Sequence, residues 1–157
     1  MEIPLTQGQV ALVDDEDYEY LKSHEWHIIR SKFTKLYAAR SSSGLLGTKR
    51  KAIMMHRSIM NCPNDMEIDH IDGNGLNNQK ENLRICTRSE NMRNRDKQAD
   101  NLSGYKGVYK KDNRYRAQIT VEGKQIYLGS YQNIEDAVKA YNEASIKYHG
   151  KFSKTNF

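Results

Sequence analysis

The sequence predicts an α+β chain built from small modules. An N-terminal β-rich unit leads into a strand–loop–strand–helix unit, and a three-stranded antiparallel sheet packed on one helix closes the chain. Three observations carry this reading. Only 37% of the 157 residues are hydrophobic, so each core is small. Period-two alternation recurs in short runs bounded by turn residues, most clearly from Arg114 to Val121. One long stretch of helical spacing, Ile134, Ala137, Val138, Tyr141, Ala144 and Tyr148, lies near the C-terminus. The polar run DKQADNLSG supplies the boundary, giving a segment 1–96, a linker 97–104 and a domain 105–157.

In chain order, Val10 to Val13 is expected to be a short buried strand. The acidic run Asp14 to Asp17 suits the start of a helix that ends near Ser23, since negative charge there complements the macrodipole. Trp26 to Arg30 and Lys35 to Arg40 are expected to pair as strands around a turn at Ser31 to Thr34, with Trp26 as core anchor. His24 and His27 flank Trp26 without an adjacent third ligand, which favours packing or surface roles over metal binding. After the loop Ser41 to Gly47 and the basic Lys49-Arg50-Lys51, Ala52 to Met55 can form a strand and His56 to Met60 a helical turn or two. Pro63 cannot continue a helix interior. His56 is expected to be buried and hydrogen-bonded, or to touch a phosphate.

The formal charge of +5 favours a polyanionic partner, nucleic acid first. The cysteines are Cys62 and Cys86 with no CxxC, which speaks against a zinc ribbon and a disulfide scaffold. The N-terminus has no apolar leader region and no stretch approaches membrane-span length, so the expected compartment is cytoplasmic, in a bacterial or phage-infected cell.

Chemistry concentrates between Ile68 and Asn91, IDHIDGNGLNNQKENLRICTRSEN. Alternation puts Ile68 and His70 on one face of a strand, Glu67 and Asp69 on the other. Asp72-Gly73-Asn74-Gly75 is dense turn chemistry. Leu83 to Cys86 is a second strand with Leu83 and Ile85 inward, and Thr87-x-x-Glu90 is a capping box that starts a helix at Arg88. A carboxylate, an imidazole and two carboxamides with little apolar material between them fit a divalent-metal hydrolase: hard oxygen ligands for one ion, and a neutral histidine to deprotonate water.

Through Asp69-His70, Asn82 and Asn91, residues 50–96 resemble the HNH (ββα-metal) endonucleases of the phage and intron-encoded homing type. Asn stands where the family carries His or Asn last. The resemblance implies that His70 is the general base, that Asp69 and Asn91 hold one Mg²⁺ or Mn²⁺ per site rather than zinc, and that Asn82 fixes the loop and the His70 ring. Arg50, Arg57, Arg84, Arg88, Arg93 and Arg95 are candidates for phosphate contacts.

In the last module, strands at 107–109, 115–121 and 125–129 turn at Asp112-Asn113 and Glu122-Gly123. Asn133 with Asp136 is expected to cap the following helix, Gly150 to end it, and His149 to lie at the surface. The helix covers the apolar face, leaving Tyr109, Lys111, Arg114, Arg116, Gln118 and Tyr127 on the open face, where cations, an amide and aromatic rings suit the DNA major groove. Gly107-Val108, Tyr127-Leu128-Gly129, Ala137-x-x-Ala140-Tyr141-x-x-Ala144 and the closing Asn156-Phe157 resemble the plant ethylene-response-factor (APETALA-type) DNA-binding domain. The plant domains carry Arg and Trp where Tyr109, Thr120, Gln125 and Tyr127 stand here, so the resemblance implies the mode of binding but not the base preference.

The expected function is therefore a metal-dependent DNA endonuclease acting on double-stranded DNA as a monomer or weak dimer, with no membrane and no small-molecule cofactor. The alternative is a catalytically inactive, sequence-specific DNA-binding regulator.

Overall fold

The computed structural model describes residues 1–31, 35–42, 51–95, 97 and 101–157. The expected turn beyond Ser31, most of the Ser41 to Gly47 loop, Arg50 as a phosphate contact and much of the linker lie outside the described residues. The chain divides into two compact units, Met1–Thr87 and Arg88–Phe157.

The first unit begins with a ribbon of β1 (Glu2–Pro4) and β2 (Val10–Leu12), antiparallel with Ile3 opposite Ala11. Ile3, Ala11 and Val13 are buried, whereas Val10 and Leu12 are exposed. The expected buried strand is therefore buried on one face only, because a two-stranded ribbon has a single covered side. In α1 (Asp15–Lys22) the first turn carries Asp15, Glu16 and Asp17. Asp14 stands at the N-cap but makes no side-chain cap bond; its carboxylate accepts from the Lys80 backbone N–H at 2.7 Å instead. That bond ties the helix start to the segment just before the strand that begins at Leu83.

Strands β3 (His27–Arg30), β4 (Leu36–Ser41) and β5 (Ala52–Met54) form an antiparallel sheet in that order. Trp26 is buried, donates its indole N–H to the Leu21 carbonyl at 2.8 Å, and packs with Ile3, Ala11, Leu21, Ala38 and Met55 in one core. Helix α2 (Met55–Met60) ends at Asn61, whose φ of 45° is a left-handed stop. Strands β6 (Glu67–His70) and β7 (Leu83–Cys86) pair antiparallel, with Asp69 opposite Arg84 and His70 opposite Leu83. Leu83 is buried as expected, but Ile85 is 37% exposed and Cys86 is the buried residue near the strand end. Both cysteines are free thiols.

The second unit contains α3 (Arg88–Arg93), strands β8 (Val108–Lys111), β9 (Arg114–Val121) and β10 (Lys124–Tyr131), and α4 (Ile134–His149). The sheet order is β10-β9-β8, all antiparallel. Both tight turns have two positive φ angles, Asp112 (52°) with Asn113 (58°) and Glu122 (50°) with Gly123 (76°), matching the right-handed twist of the flanking strands. Val108, Ala117 and Ile119 pack against Ala137, Val138, Tyr141 and Ala144 of α4. Gly107, at φ 72°, is obligatory: a Cβ there would collide with the Tyr141 ring and the Gln118 carbonyl.

Two expectations about α4 are corrected. Asn133 occupies the N-cap position without a side-chain cap bond. His149 is buried, not superficial, and its Nε2 lies 3.1 Å from the Thr120 carbonyl, because the last turn of α4 lies over the end of β9. Among the described residues no helix is long and apolar enough to cross a membrane.

Candidate active site and nucleic-acid face

His70 ends β6, where the chain leaves the ladder and enters the Asp72 to Asn78 loop. The residue is 5% exposed. Its Nε2 lies 3.3 Å from Asn78 Oδ1. Asn78 is fully buried; its backbone N–H donates to the Leu12 carbonyl at 2.7 Å and its Nδ2 donates to the Leu76 carbonyl at 3.2 Å. The amide is thereby oriented with Oδ1 toward the ring, so a carbonyl oxygen faces Nε2 and that nitrogen carries the proton. In that tautomer the ring's lone pair sits on Nδ1. Burial pushes the His70 pKa below its ordinary value, outweighing the Asn78 hydrogen bond and the nearby Asp72 and Asp69 charges that raise it. The imidazole is neutral at neutral pH.

Asn82 is bonded within the same loop. Its Oδ1 accepts from the Asp72 backbone N–H at 3.0 Å, and its Nδ2 donates to Asp72 Oδ1 at 3.0 Å and to the Asn77 carbonyl at 2.8 Å. The side chain clasps the loop, while the hydrogen bond to the His70 ring comes from Asn78, a residue the sequence reading missed. Asp72 also accepts from the Asn74 backbone N–H and the Asn77 side chain. Desolvation by burial is the largest single influence and pushes the Asp72 carboxyl up, but the hydrogen bonds from Asn77, Asn74 and Asn82, with the nearby His70, together outweigh it and hold the carboxyl below its ordinary value.

Asp69, next to His70, is buried and receives two N–H groups of Arg84 on Oδ2, from Nε at 2.8 Å and Nη2 at 2.5 Å. Direct cross-strand register puts the two side chains together. Arg84 is therefore the counter-ion of Asp69 rather than a solvent-facing cation waiting for phosphate. Arg57 is also committed inside the fold: its guanidinium donates to the carbonyls of Met66 (3.0 Å), Cys62 (3.1 Å) and Pro63 (2.7 Å) and shapes the loop before β6.

His56, at the start of α2, lies against the same imidazole. The His56 and His70 ring centroids are 5.1 Å apart at 85°, and the Tyr37 ring meets both edge-on, at 5.9 and 5.8 Å. Gly75 lets the loop lie directly on Tyr37, since a Cβ at this position would strike the Leu36 carbonyl and the Tyr37 ring. His56 Nδ1 is buried without a hydrogen-bond partner. Burial, with smaller contributions from the His70 and Arg57 charges, depresses its pKa to about 3.

That depression sets a pH dependence of stability. The unfolded chain binds a proton at His56 near pH 6.5 and the folded chain only near pH 3, so the contribution is fully present above 6.5 and falls as pH drops through that window. Each pH unit below 6.5 removes about 1.4 kcal/mol until about pH 3. Denaturant midpoints followed through fluorescence of Trp26, the single tryptophan of the chain, should decline steadily toward pH 4. In His56→Leu the decline should flatten; an equally steep decline in that variant would rule His56 out as its source.

Asn91 lies half-buried on α3 and belongs to the second unit. Arg88 and Arg95 are exposed and Arg93 half-buried. Within that unit the Lys106 ammonium donates to the carbonyls of Arg93 (2.5 Å) and Arg95 (2.6 Å), so a cation closes the C-terminal end of α3.

The register of the C-terminal sheet puts Tyr109 opposite Arg116, Lys111 opposite Arg114 and Tyr127 opposite Gln118. All of these lie on the face away from α4, while Ala117 and Ile119 are buried on the other. A register shift between Tyr127 and Gly129 turns the end of β10. Arg114 is held by Ser130, Nε to Oγ at 3.0 Å and Nη2 to the carbonyl at 2.8 Å. Arg116 contacts the exposed Asp112 at 3.2 Å, a surface pair that yields readily to a stronger anion.

Among the described residues no group of three or more His, Cys, Asp or Glu is placed to hold a metal ion. The potential donors around His70 are the Asp69 carboxylate, the carboxamides of the loop and the His56 imidazole. The Cys86 thiol points to the Glu67 carbonyl, at 3.6 Å.

Residues 61–93 match the family model described as HNH endonuclease. The chain is 27% identical over 157 residues to an uncharacterized HNH endonuclease of Acanthamoeba polyphaga mimivirus, covering 96% of this chain and 76% of that protein. It is 36% identical over 94 residues to Protein 3.8 of Escherichia phage T7, covering 59% of this chain and 77% of the relative. It is 39% identical over 57 residues to an APETALA2-like protein of Oryza sativa, covering 35% of this chain and 13% of the plant protein. No solved structure matches the chain at the level applied to these relatives.

Proposed function

The chain belongs to the HNH endonuclease family, and from that premise we propose that it is a divalent-metal-dependent, homing-type endonuclease that hydrolyses phosphodiester bonds in double-stranded DNA. The C-terminal APETALA-type sheet supplies site preference. The observation that carries the reading is the neutral His70 imidazole, oriented by Asn78 beside the Asp69 carboxylate at the mouth of the Asn-rich loop.

In this reading His70 Nδ1 takes the proton from the attacking water, and Nε2–H stays bonded to Asn78, which steadies the imidazolium that forms. Asn82 and Asp72 hold the loop so that the ring does not swing. Asp69 and Asn91 are the residues that would hold one Mg²⁺ or Mn²⁺. When bound, the ion supplies charge stabilisation at the phosphoryl and leaving oxygens. Arg88, Arg93 and Arg95 would meet flanking phosphates. In the same proposal, 97–104 links the 1–96 segment to the 105–157 domain, and the protein acts as a monomer or weak dimer in the cytoplasm of a bacterial or phage-infected cell.

Supercoiled plasmid incubated with the protein, with and without Mg²⁺, tests the proposal directly. Nicked or linear product should form only with the ion. One observation favours the second reading, an inactive DNA-binding regulator: Arg84 already occupies Asp69 Oδ2. A regulator would shift DNA in a gel and leave plasmid supercoiled in every metal.

The open sheet face makes a separate prediction. Arg116→Ala should weaken duplex binding and lower the slope of log affinity against log salt by about 1, one phosphate's share of counterion release. Cleavage per bound complex should be unchanged. An unaltered salt slope would remove Arg116 from the DNA contact.

A further inference from the structure

Strand β4 carries Tyr37, whose ring abuts His70, and Arg40, three residues later. Odd spacing along a strand places them on opposite faces. Arg40 therefore faces away from the catalytic histidine, into a separate cavity of about 420 Å³ lined by Thr6, His24, Trp26, His27 and Ser41, with Glu25 among its walls.

The guanidinium is 5.9 Å from the centre of the Trp26 ring. That ring is rigid: it is buried, bonded to the Leu21 carbonyl, and met by the His24 ring at 6.3 Å and 61°. Arg40 Nε is buried with no hydrogen-bond partner, and among the described residues no carboxylate pairs with its guanidinium. Glu25 is exposed and makes no ion pair with it. A guanidinium partly withdrawn from water and left without an anion is costly, and the cost is offset when an anion occupies the fork. The neighbours favour an oxyanion: the Thr6 hydroxyl oxygen already accepts from the Ile28 backbone N–H at 3.1 Å, so its proton is available to donate, and Ser41 and the imidazoles add donors. The His24-Glu25-His27 sequence does not form a metal site; no such cluster exists among the described residues.

We propose that this cavity binds a phosphodiester group of the DNA backbone, distinct from the one that is cut, through Arg40 stacked on Trp26. One singly charged phosphate matches one guanidinium and its neutral donors. The assignment rests on DNA being the substrate, and the test separates the two claims.

Duplex affinity of the full chain is measured over a range of salt for wild type, Arg40→Met, Arg40→Gln and Arg40→Lys, with Trp26 fluorescence unfolding as the check on folding. Methionine retains an apolar stem over the indole; glutamine retains polarity if the methionine variant folds poorly. Both neutral variants should lower the salt slope by about 1 while lysine preserves it. Phosphate-ethylation interference should lose one phosphate that Arg116→Ala retains. An unchanged slope and an unchanged interference pattern in both neutral variants would overturn the proposal, as would Arg40-dependent binding of inorganic phosphate with no change toward DNA, the signature of a free-phosphate site. Wild-type protein that fails to bind DNA would overturn the functional reading as well; wild-type binding with an indifferent Arg40 would overturn only this inference.

Discussion

His70→Ala should abolish plasmid cleavage while duplex affinity stays within about twofold of wild type. General-base catalysis by a positioned side chain contributes about 10²–10⁴-fold, so residual turnover should fall by at least about 10²-fold. The substitution is not silent structurally. His70 is buried, and alanine leaves Asn78 Oδ1 without its donor in a closed space, a loss of about 1–3 kcal/mol. His70→Gln separates chemistry from folding, because a glutamine amide can still donate to Asn78 yet cannot take a proton from water. Both variants should lose cleavage equally and differ in stability. Added imidazole should return part of the activity to the alanine variant, whose cavity can admit the missing ring. Retained cleavage in the glutamine variant, or an equal loss of DNA binding in both, would make His70 a packing residue and leave the chain a DNA binder.

The sequence makes the motif legible and leaves its support hidden, for reasons visible in particular residues. Alternation from Arg114 to Val121 fixes which face each side chain takes, because strand geometry forces the choice; the same faces appear in the structure. The dipeptide Asp69-His70 and the turn residues after it are equally local signals. Asn78 is different. It is one of three asparagines between Asn74 and Asn78, and only the last is fully buried. What selects it is the bond from its backbone to Leu12 in the N-terminal ribbon, a contact between segments far apart in sequence. The partners of Arg57 and Arg84 are hidden in the sequence for a related reason. Sequence shows a positive charge, but only the fold shows that carbonyls and a carboxylate already surround it. The buried ring of His56 is likewise placed by the docking of α2, not by its own neighbours in the chain. The one signal that could have directed attention to Asn78 is chemical: a histidine used as a base needs an acceptor on its second nitrogen, and a carboxamide a few residues away is the nearest supply.

Asn78→Leu should lower the cleavage rate constant by about 10–100-fold, the range typical of losing the partner that orients a functional imidazole, with little change in the substrate concentration for half-maximal rate. Leucine has the same heavy-atom branching, though it is bulkier, and the backbone bond to Leu12 does not depend on the side chain, so the loop keeps its anchor. What disappears is the oxygen that holds the proton on Nε2. The ring can then rotate, or place its proton on Nδ1, and in either case the lone pair no longer meets the water. Asn78→Asp tests the same point from the other side. A carboxylate keeps an acceptor at Nε2, so the tautomer is retained, but its buried negative charge stabilises the imidazolium and raises the His70 pKa. The acid limb of the pH–rate profile should therefore move to higher pH in the aspartate variant, while rate at high pH stays nearer wild type than in the leucine variant. A purely structural Asn78 would change stability in both variants and leave the position of that limb untouched. Coincident profiles for wild type and Asn78→Asp would thus refute the orienting role, and with it the assignment of Nδ1 as the atom that receives the proton.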